Sequence, residues 1–168
     1  RPRLSSDRLT ELAGIDPGWM VLTGCRKGAV PTALATGGPT AARRALDDLV
    51  DRFGRQRVVV ELWDHGDPSD AERNDALAAL ATAAGVGLVA TNNVHYHRPA
   101  RRRLAATMAA VRARRPLEEL DGWLPAAGTA HLRSGAEQAR RFARWPGAVP
   151  AADELGGRCA FDLRLVAP

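Results

Sequence analysis

Three short apolar runs, each followed by a helix-like segment, constrain the fold of this chain most. The runs are WMVLTGC at residues 19–25, VVVELW at 58–63 and VGLVATN at 86–92. Each is bounded by glycine or polar residues, and the second is β-branched and continuous, which is typical of a strand buried on both faces. We therefore expect three buried strands.

Helical patterns follow the first two runs. One segment begins at Pro39 and ends at Gly54, and the next is capped by Asp67 or Ser69 and ends at Gly85. Apolar residues recur at helical spacing in both. Those expected to face the core are Ala42, Ala45, Leu46, Leu49, Val50 and Phe53 in the first helix, and Leu77, Leu80, Ala81 and Ala84 in the second.

A third helix is expected over residues 99–114, with Leu104, Met108 and Val111 facing inward. Strands that alternate with helices through short links indicate an α/β fold with parallel strands and crossover helices. Three strands are too few for a closed eight-stranded barrel. Either the sheet is open, or the rest of a barrel precedes this chain.

The sequence changes character at residue 116. Residues 1–115 contain the three βα units, whereas 116–168 are loop-rich and helical. In this second part, Trp123 stands alone, and Ser134 with Glu137 forms a capping-box pattern before a helix anchored by Phe142 and Trp145. A last helix is expected over residues 151–158, and CAFDLRLV is interpreted as a strand or connector.

Composition narrows the class of protein. No apolar run approaches the ~20 residues of a membrane span, and the N-terminus lacks the apolar core of a signal peptide. We therefore expect a cytoplasmic protein with no membrane partner, in which Cys25 and Cys159 are reduced. Because the chain begins on RPRL and stops on DLRLVAP, we also expect a piece of a longer protein.

The chain is basic, with a net charge of +5 and a pI of about 10.4. This favours an anionic partner, most commonly nucleic acid. Lys27 is the only lysine, however, so the arginines also fit the codon bias of a GC-rich genome. Arg98 and Arg101–Arg103 crowd the start of the third helix, where cations oppose the helix dipole, while Arg26 and Lys27 follow the first strand. These residues form either a solvated face or a phosphate-contacting one.

Polar residues follow the strands at the edge where α/β folds bind ligands. Thiol, imidazole and carboxylate groups gathered at one edge suit zinc or manganese. The candidates are Cys25 after the first strand, Glu61, Asp64 and His65 at the end of the second, and Asn92, Asn93, His95 and His97 after the third.

Each candidate also has an ordinary structural interpretation. Cys25 fits a small buried hydrophobic residue, and Asp64 with His65 fits a turn before glycine. His95 suits a ligand or a structural hydrogen bonder equally well. Asn93 is a poor ligand because its neutral amide does not balance the charge of a metal ion. The residues alone do not indicate a complete metal site.

Together, VLTGCRKGAVP, VVVELWDHGDPSDAERNDAL and VATNNVHYHRP resemble the PHP (polymerase and histidinol phosphatase) domain of bacterial C-family DNA polymerases. GWLPAAGTAHLRSGAEQARRFARWP and CAFDLRLVAP are most similar to the error-prone, translesion branch. The resemblance implies a distorted TIM-like barrel of seven βα units, of which this chain holds the later part. Active members hold three metal ions and hydrolyse phosphoesters or proofread DNA ends.

The resemblance also places ligand positions in this chain. Cys25 corresponds to a late cysteine or histidine ligand, while Asn93 and His95 occupy the Asp and His of a TNDVH motif. Glu61 and His65 match an ELxxHG motif that, with Asp64, supports the rim of the site. Because asparagine replaces aspartate, the family's zinc or manganese cluster is expected to be lost. Magnesium would serve only a polymerase core outside this chain.

The sequence therefore predicts a fragment of an error-prone DNA polymerase that supplies a structural PHP element and is itself inert. Its partners through the parent protein would be DNA, a sliding clamp and a mutasome accessory protein. One alternative is a metal-dependent PHP phosphoesterase or proofreading exonuclease. A second is a non-enzymatic, basic DNA-binding module that uses the arginine clusters.

Overall fold

The computed structural model describes residues 4–15, 18–120, 124 and 128–162. Short 3-10 turns at Arg55–Arg57, Pro99–Arg101 and Leu117–Glu119 lie between its elements. In chain order, the elements are α1 (Ser6–Ile15), β1 (Val21–Leu22), α2 (Ala29–Phe53), β2 (Val58–Leu62), α3 (Asp70–Ala84), β3 (Gly87–Ala90), α4 (Arg102–Ala113), α5 (Gly135–Arg141) and α6 (Ala148–Arg158).

The three strands form one parallel sheet in the order β1-β2-β3. Val21 pairs with Val58 at one border of β2, and Val59 pairs with Gly87 at the other. All five residues of β2 are buried, as the continuous apolar run predicts for a central strand. The mixed α/β class and the parallel strands with connecting helices are confirmed, although β1 is only two residues long.

The core lies between the sheet and helices α2, α3 and α6. Helices α2 and α3 pack against each other and against β2, while α6 packs against β3. The predicted apolar stripes are confirmed, since Ala42, Leu46, Phe53, Leu77, Ala81 and Ala84 are all buried. Burial of these side chains is the main driving force for this arrangement.

Helix α2 is longer than the sequence predicted and is interrupted within. Gly38 has φ 73° and ψ −169°, outside the helical region, and Pro39 follows it. Pro39 therefore begins the second half of α2 as expected, whereas the half that starts at Ala29 was not predicted. Gly54 ends α2 with φ 85°, and Gly85 ends α3 with φ 64°, conformations that glycine adopts without steric cost.

The predicted inward face of the third helix is wrong. Leu104, Met108 and Val111 are 51%, 58% and 73% exposed. The half-buried positions of α4 are all alanines: Ala105, Ala106, Ala109, Ala110 and Ala113. Helix α4 makes its strongest contacts with the two 3-10 turns beside it and no comparable contact with the sheet, so its larger apolar side chains face outward.

The C-terminal part follows the sequence more closely. The Ser134 hydroxyl accepts a hydrogen bond from the Glu137 backbone N–H at 3.2 Å, which confirms the cap of α5. Phe142 is buried and Trp145 packs on the core. Helix α6 begins at Ala148, earlier than predicted. Trp123 and residues 163–166 of the final strand-like run lie outside the described residues, and residues 159–162 of that run form no strand.

Helix α1 was not predicted from the sequence, and it packs on α2. Among the described residues, no helix combines the length and apolarity needed to cross a membrane.

Two leucines test this arrangement of the core. Leu46→Ala is expected to lower the free energy of unfolding by about 2–5 kcal/mol, because Leu46 is fully buried and truncation leaves a cavity. Leu104→Ala is the matched control and should change it by no more than about 0.5 kcal/mol in this chain. Chemical denaturation monitored by circular dichroism measures both, and equal losses would contradict the outward placement of Leu104.

Candidate functional site

The loops that leave β2 and β3 lie at the carboxyl-end edge of the sheet, and the segment 128–134 contacts both of them. The backbone N–H groups of His95 and Tyr96 both donate to the Ala130 carbonyl, at 2.9 and 3.3 Å. The Leu132 N–H donates to the Tyr96 carbonyl at 3.1 Å. This short parallel pairing fixes the segment after β3, where the sequence placed Asn93 and His95, against the later segment.

Arg133 is the centre of this edge. It is buried, and its guanidinium donates to the Asp64 carbonyl at 3.1 Å, the Thr129 carbonyl at 2.7 Å and the Asn92 side-chain oxygen. Burial, followed by the nearby charge of Arg141, lowers the pKa of Arg133, although a guanidinium remains a cation at neutral pH. One buried cation thus joins the loop after β2, the loop after β3 and the segment before α5.

Asn92, rather than Asn93, is the buried asparagine of the pair. Its amide nitrogen donates to the His131 carbonyl, and its own carbonyl accepts from Nε2 of His65 at 2.8 Å. Since a carbonyl can only accept, His65 carries its proton on Nε2. The His65 ring is therefore held by a backbone group within the chain.

The turn after β2 is held by Asp70. One carboxylate oxygen of Asp70 accepts from the backbone N–H groups of His65, at 2.8 Å, and Asp67, at 3.0 Å. The other pairs with Arg73 at 2.5 Å, and Arg73 stacks over the Trp63 ring, 3.8 Å from its centroid. These contacts fix the direction in which the His65 side chain leaves the sheet.

Asp67 caps the same turn. Hydrogen bonds from the Ser69 hydroxyl, at 2.6 Å, and backbone N–H, at 2.9 Å, lower the pKa of Asp67. Both residues proposed as caps from the sequence take part, but the Ser69 side chain itself makes no cap hydrogen bond to the helix.

The predicted rim residues are used for contacts within the chain. Glu61 is largely buried on β2 and accepts a hydrogen bond from the Thr91 hydroxyl. Asp64 pairs with Arg141 at 2.7 Å. The Nε2 of His65 donates to the backbone carbonyl of Asn92. All three therefore have partners within the chain, and their role as the rim of a metal site stays a prediction.

The three predicted ligand positions lie around the same edge. Cys25 is half-buried beyond β1 and packs against the core. Asn93 adopts φ 40°, and its backbone N–H makes a long contact of 3.4 Å with the Thr91 hydroxyl. His95 is exposed, with its ring centroid 6.1 Å from that of His65.

A metal ion needs several ligating side chains that lie close together and are free to bind it. Within the described ranges, no three His, Cys, Asp or Glu side chains are grouped so that they could hold a metal ion. The Asp64 carboxylate and the proton-bearing nitrogen of His65 already have partners in the chain. The positively charged guanidinium of Arg133 lies 3.1 Å from the Asp64 carbonyl at this edge. These residues by themselves do not fit a trinuclear centre.

Positive charges surround His95. Partial burial of its ring, followed by the charges of His65, Arg26 and Lys27, lowers the pKa of His95 below the ordinary histidine value of 6.5. His95 is consequently neutral at physiological pH.

A groove of about 770 Å³ opens beside His95 and runs along α4. Its lining combines the predicted basic residues with exposed apolar side chains of α4. Its basic and larger aliphatic lining residues include Lys27, Arg101, Arg102, Arg103, Arg112, Leu104, Met108 and Leu117. Arg26 and Arg98 are exposed nearby in sequence but do not line the groove. Contact of these side chains with nucleic acid stays a prediction.

Sequence reasoning missed the residues that organise the edge. Arg133 and Thr129 lie far from the strands in sequence, and arginine is too common here to single out one position. Asp70 left a weak signal, because an acidic residue three positions after Asp67 is typical of helix starts.

In comparisons with known proteins, the whole chain aligns with proteins named error-prone DNA polymerase. It is 60% identical over 168 residues to a protein named error-prone DNA polymerase from Mycolicibacterium paratuberculosis. It is also 54% identical over 173 aligned residues to one from Nocardia farcinica, and 47% over 168 residues to one from Cutibacterium acnes. These alignments cover 100%, 99% and 100% of the chain but 15% of each relative.

The chain thus corresponds to a segment that spans about 15% of the length of these error-prone DNA polymerases. No protein-family model matches it.

Removing the guanidinium tests its role at the edge. Arg133→Met is expected to lower the free energy of unfolding by about 2–4 kcal/mol, because it leaves buried acceptors on Asn92 and Thr129 without their donor. Arg140→Met changes an exposed arginine nearby and should cost no more than about 0.5 kcal/mol. Denaturant titration measures both, and equal effects would show that Arg133 does not organise the edge.

Partial burial of the His95 ring, together with the nearby positive charges, predicts how this residue titrates. In a pH series followed by NMR, the ring should titrate below 6.5, and Arg26→Gln with Lys27→Gln should raise the midpoint. Because the folded pKa lies below the unfolded value, the stability that His95 contributes is complete above pH 6.5 and falls as pH drops through the folded pKa. A midpoint at or above 6.5 in the unmodified chain would contradict this assignment.

Proposed function

We propose that this chain is a segment of an error-prone DNA polymerase in which a PHP-type α/β element has lost its metal centre and serves as a structural support. The polymerase assignment is supported by identity of 47–60% over the whole chain to proteins of that name. The PHP assignment is supported by the parallel βα arrangement and by the edge at which Cys25, Asn93 and His95 lie.

One observation carries the structural role: the polar groups of the edge bind to one another. Arg133 joins the loops after β2 and β3, Asp64 pairs with Arg141, and His65 donates to the backbone of Asn92. Asn93 adds no negative charge where the family's motif has aspartate. A site arranged in this way holds loops in place and offers few free donors to a cation.

The polymerase reaction is assigned to the rest of the polypeptide. Nucleotidyl transfer on two Mg²⁺ ions needs carboxylates placed for that purpose, and no residue of this chain is given that role. DNA is the proposed substrate of the parent protein. A sliding clamp and a mutasome accessory protein are proposed partners through the parent.

Metal content tests the loss of the centre. The full-length polymerase should purify without stoichiometric zinc or manganese, and Asn93→Asp should increase binding by restoring a carboxylate beside His95. Val94→Asp, which adds the same charge at an exposed neighbouring position, is the matched control and should gain nothing. Elemental analysis of the purified proteins gives the ratios.

The opposite result would support a working centre. Near-stoichiometric metal in the unmodified polymerase, or hydrolysis of phosphoesters by it with added Mn²⁺ or Zn²⁺, would replace the structural role by the phosphoesterase or exonuclease alternative. The polymerase assignment is checked separately by primer extension across a damaged template base.

A further inference from the structure

Helix α4 exposes an apolar stripe that the rest of the described chain does not cover. Leu104, Met108 and Val111 lie at i, i+4 and i+7, on one side of the helix. Leu117, just beyond α4, is 49% exposed, and we call these four residues the α4 face. Large apolar side chains grouped in this way usually mark a contact surface.

The helix has little support of its own. None of its 12 residues is buried, and isolated helices of this length are marginal in water. Its main contacts are with the flanking 3-10 turns. A covering partner would supply the packing that α4 otherwise lacks.

The positive charge around α4 indicates that such a partner carries acidic side chains. Arg101, Arg102 and Arg103 stand at the start of α4, with no acidic residue in its first turn, so they oppose the helix dipole. Among the described residues that line the groove there is no Asp or Glu, while Lys27 and Arg112 add further positive charge. Carboxylates from outside the described chain would offset both effects.

We propose that the α4 face binds an acidic amphipathic helix that belongs to the same polypeptide, outside residues 1–168. Apolar residues of that helix pack on Leu104, Met108 and Val111, and its carboxylates meet Arg101–Arg103. This is the helix-in-groove mode of recognition. It rests on the proposed function, because the chain spans 15% of its polymerase relatives.

An intramolecular partner accounts for the exposure better than a separate protein does. A tethered segment acts at a high effective concentration, so it can cover an apolar stripe permanently. A single-stranded nucleic acid suits this surface less well. Such binding relies on exposed aromatic platforms. The described lining of the groove beside α4 holds no exposed Phe, Tyr or Trp, since its one tyrosine, Tyr96, is only 9% exposed, and its other rings are the imidazoles of His95 and His97.

Photo-crosslinking in the full-length polymerase tests the proposal. Met108 is replaced by p-benzoylphenylalanine, and light and heavy isotope-labelled preparations are mixed before irradiation. Crosslinked peptides are then identified by mass spectrometry. The expected product joins residue 108 to an acidic segment outside residues 1–168 within one labelled chain. The same replacement at Arg44, exposed on α2, should not capture that segment.

A charge change gives a second readout. Arg101→Glu with Arg103→Glu should reduce the yield of that crosslink severalfold. Arg44→Glu with Arg140→Glu, which alters net charge equally at exposed sites elsewhere, should leave it unchanged. Reversing the carboxylates of the captured segment to lysine in the Arg101→Glu, Arg103→Glu background should restore it.

The crosslinked products distinguish an intramolecular acidic partner from other partners. Crosslinks only between light and heavy chains, to DNA, to a non-acidic segment, or to nothing would overturn the proposal. Primer extension by the same preparations reports on the polymerase assignment independently. An active polymerase without the intramolecular crosslink refutes this inference alone.

Discussion

The buried guanidinium of Arg133 is the contact on which the carboxyl-end edge of the sheet depends. It bonds to the loop after β2 through the Asp64 carbonyl and to the loop after β3 through Asn92. A third bond, to Thr129, holds the segment that precedes α5. Burying a charge is unfavourable unless it is hydrogen-bonded, and both terminal nitrogens of the guanidinium donate to these segments, so the loops and the cation stabilise one another.

That mutual stabilisation shapes what the edge can do. Several polar groups of the edge complete a network within the protein. The His65 ring is bound to the Asn92 carbonyl, and the Asp64 carboxylate to Arg141. Helix α4 lies outside this network and outside the core, with its larger apolar side chains exposed.

The core of the fold could be predicted because its signals are local and repeated. A continuous β-branched run identified β2, and helical spacing of apolar residues identified the buried sides of α2 and α3. The same reasoning failed for Leu104, Met108 and Val111, because spacing shows that a helix has an apolar side but not where that side points. The candidate ligands were proposed from residue type and from resemblance. Their hydrogen bonds could not be predicted, because the partners are distant in sequence.

By itself, the sequence determined the alternation of three strands with helices, the parallel α/β class and the polar residues that follow the strands. Apolar periodicity and turn residues act over short stretches of chain, which is why these features could be predicted. Only the tertiary structure decided that Arg133, more than a hundred residues after β1, holds that edge, that Asn92 rather than Asn93 is buried, and that α4 turns its larger side chains outward. Those outcomes depend on which distant segments meet, and no local pattern encodes that choice.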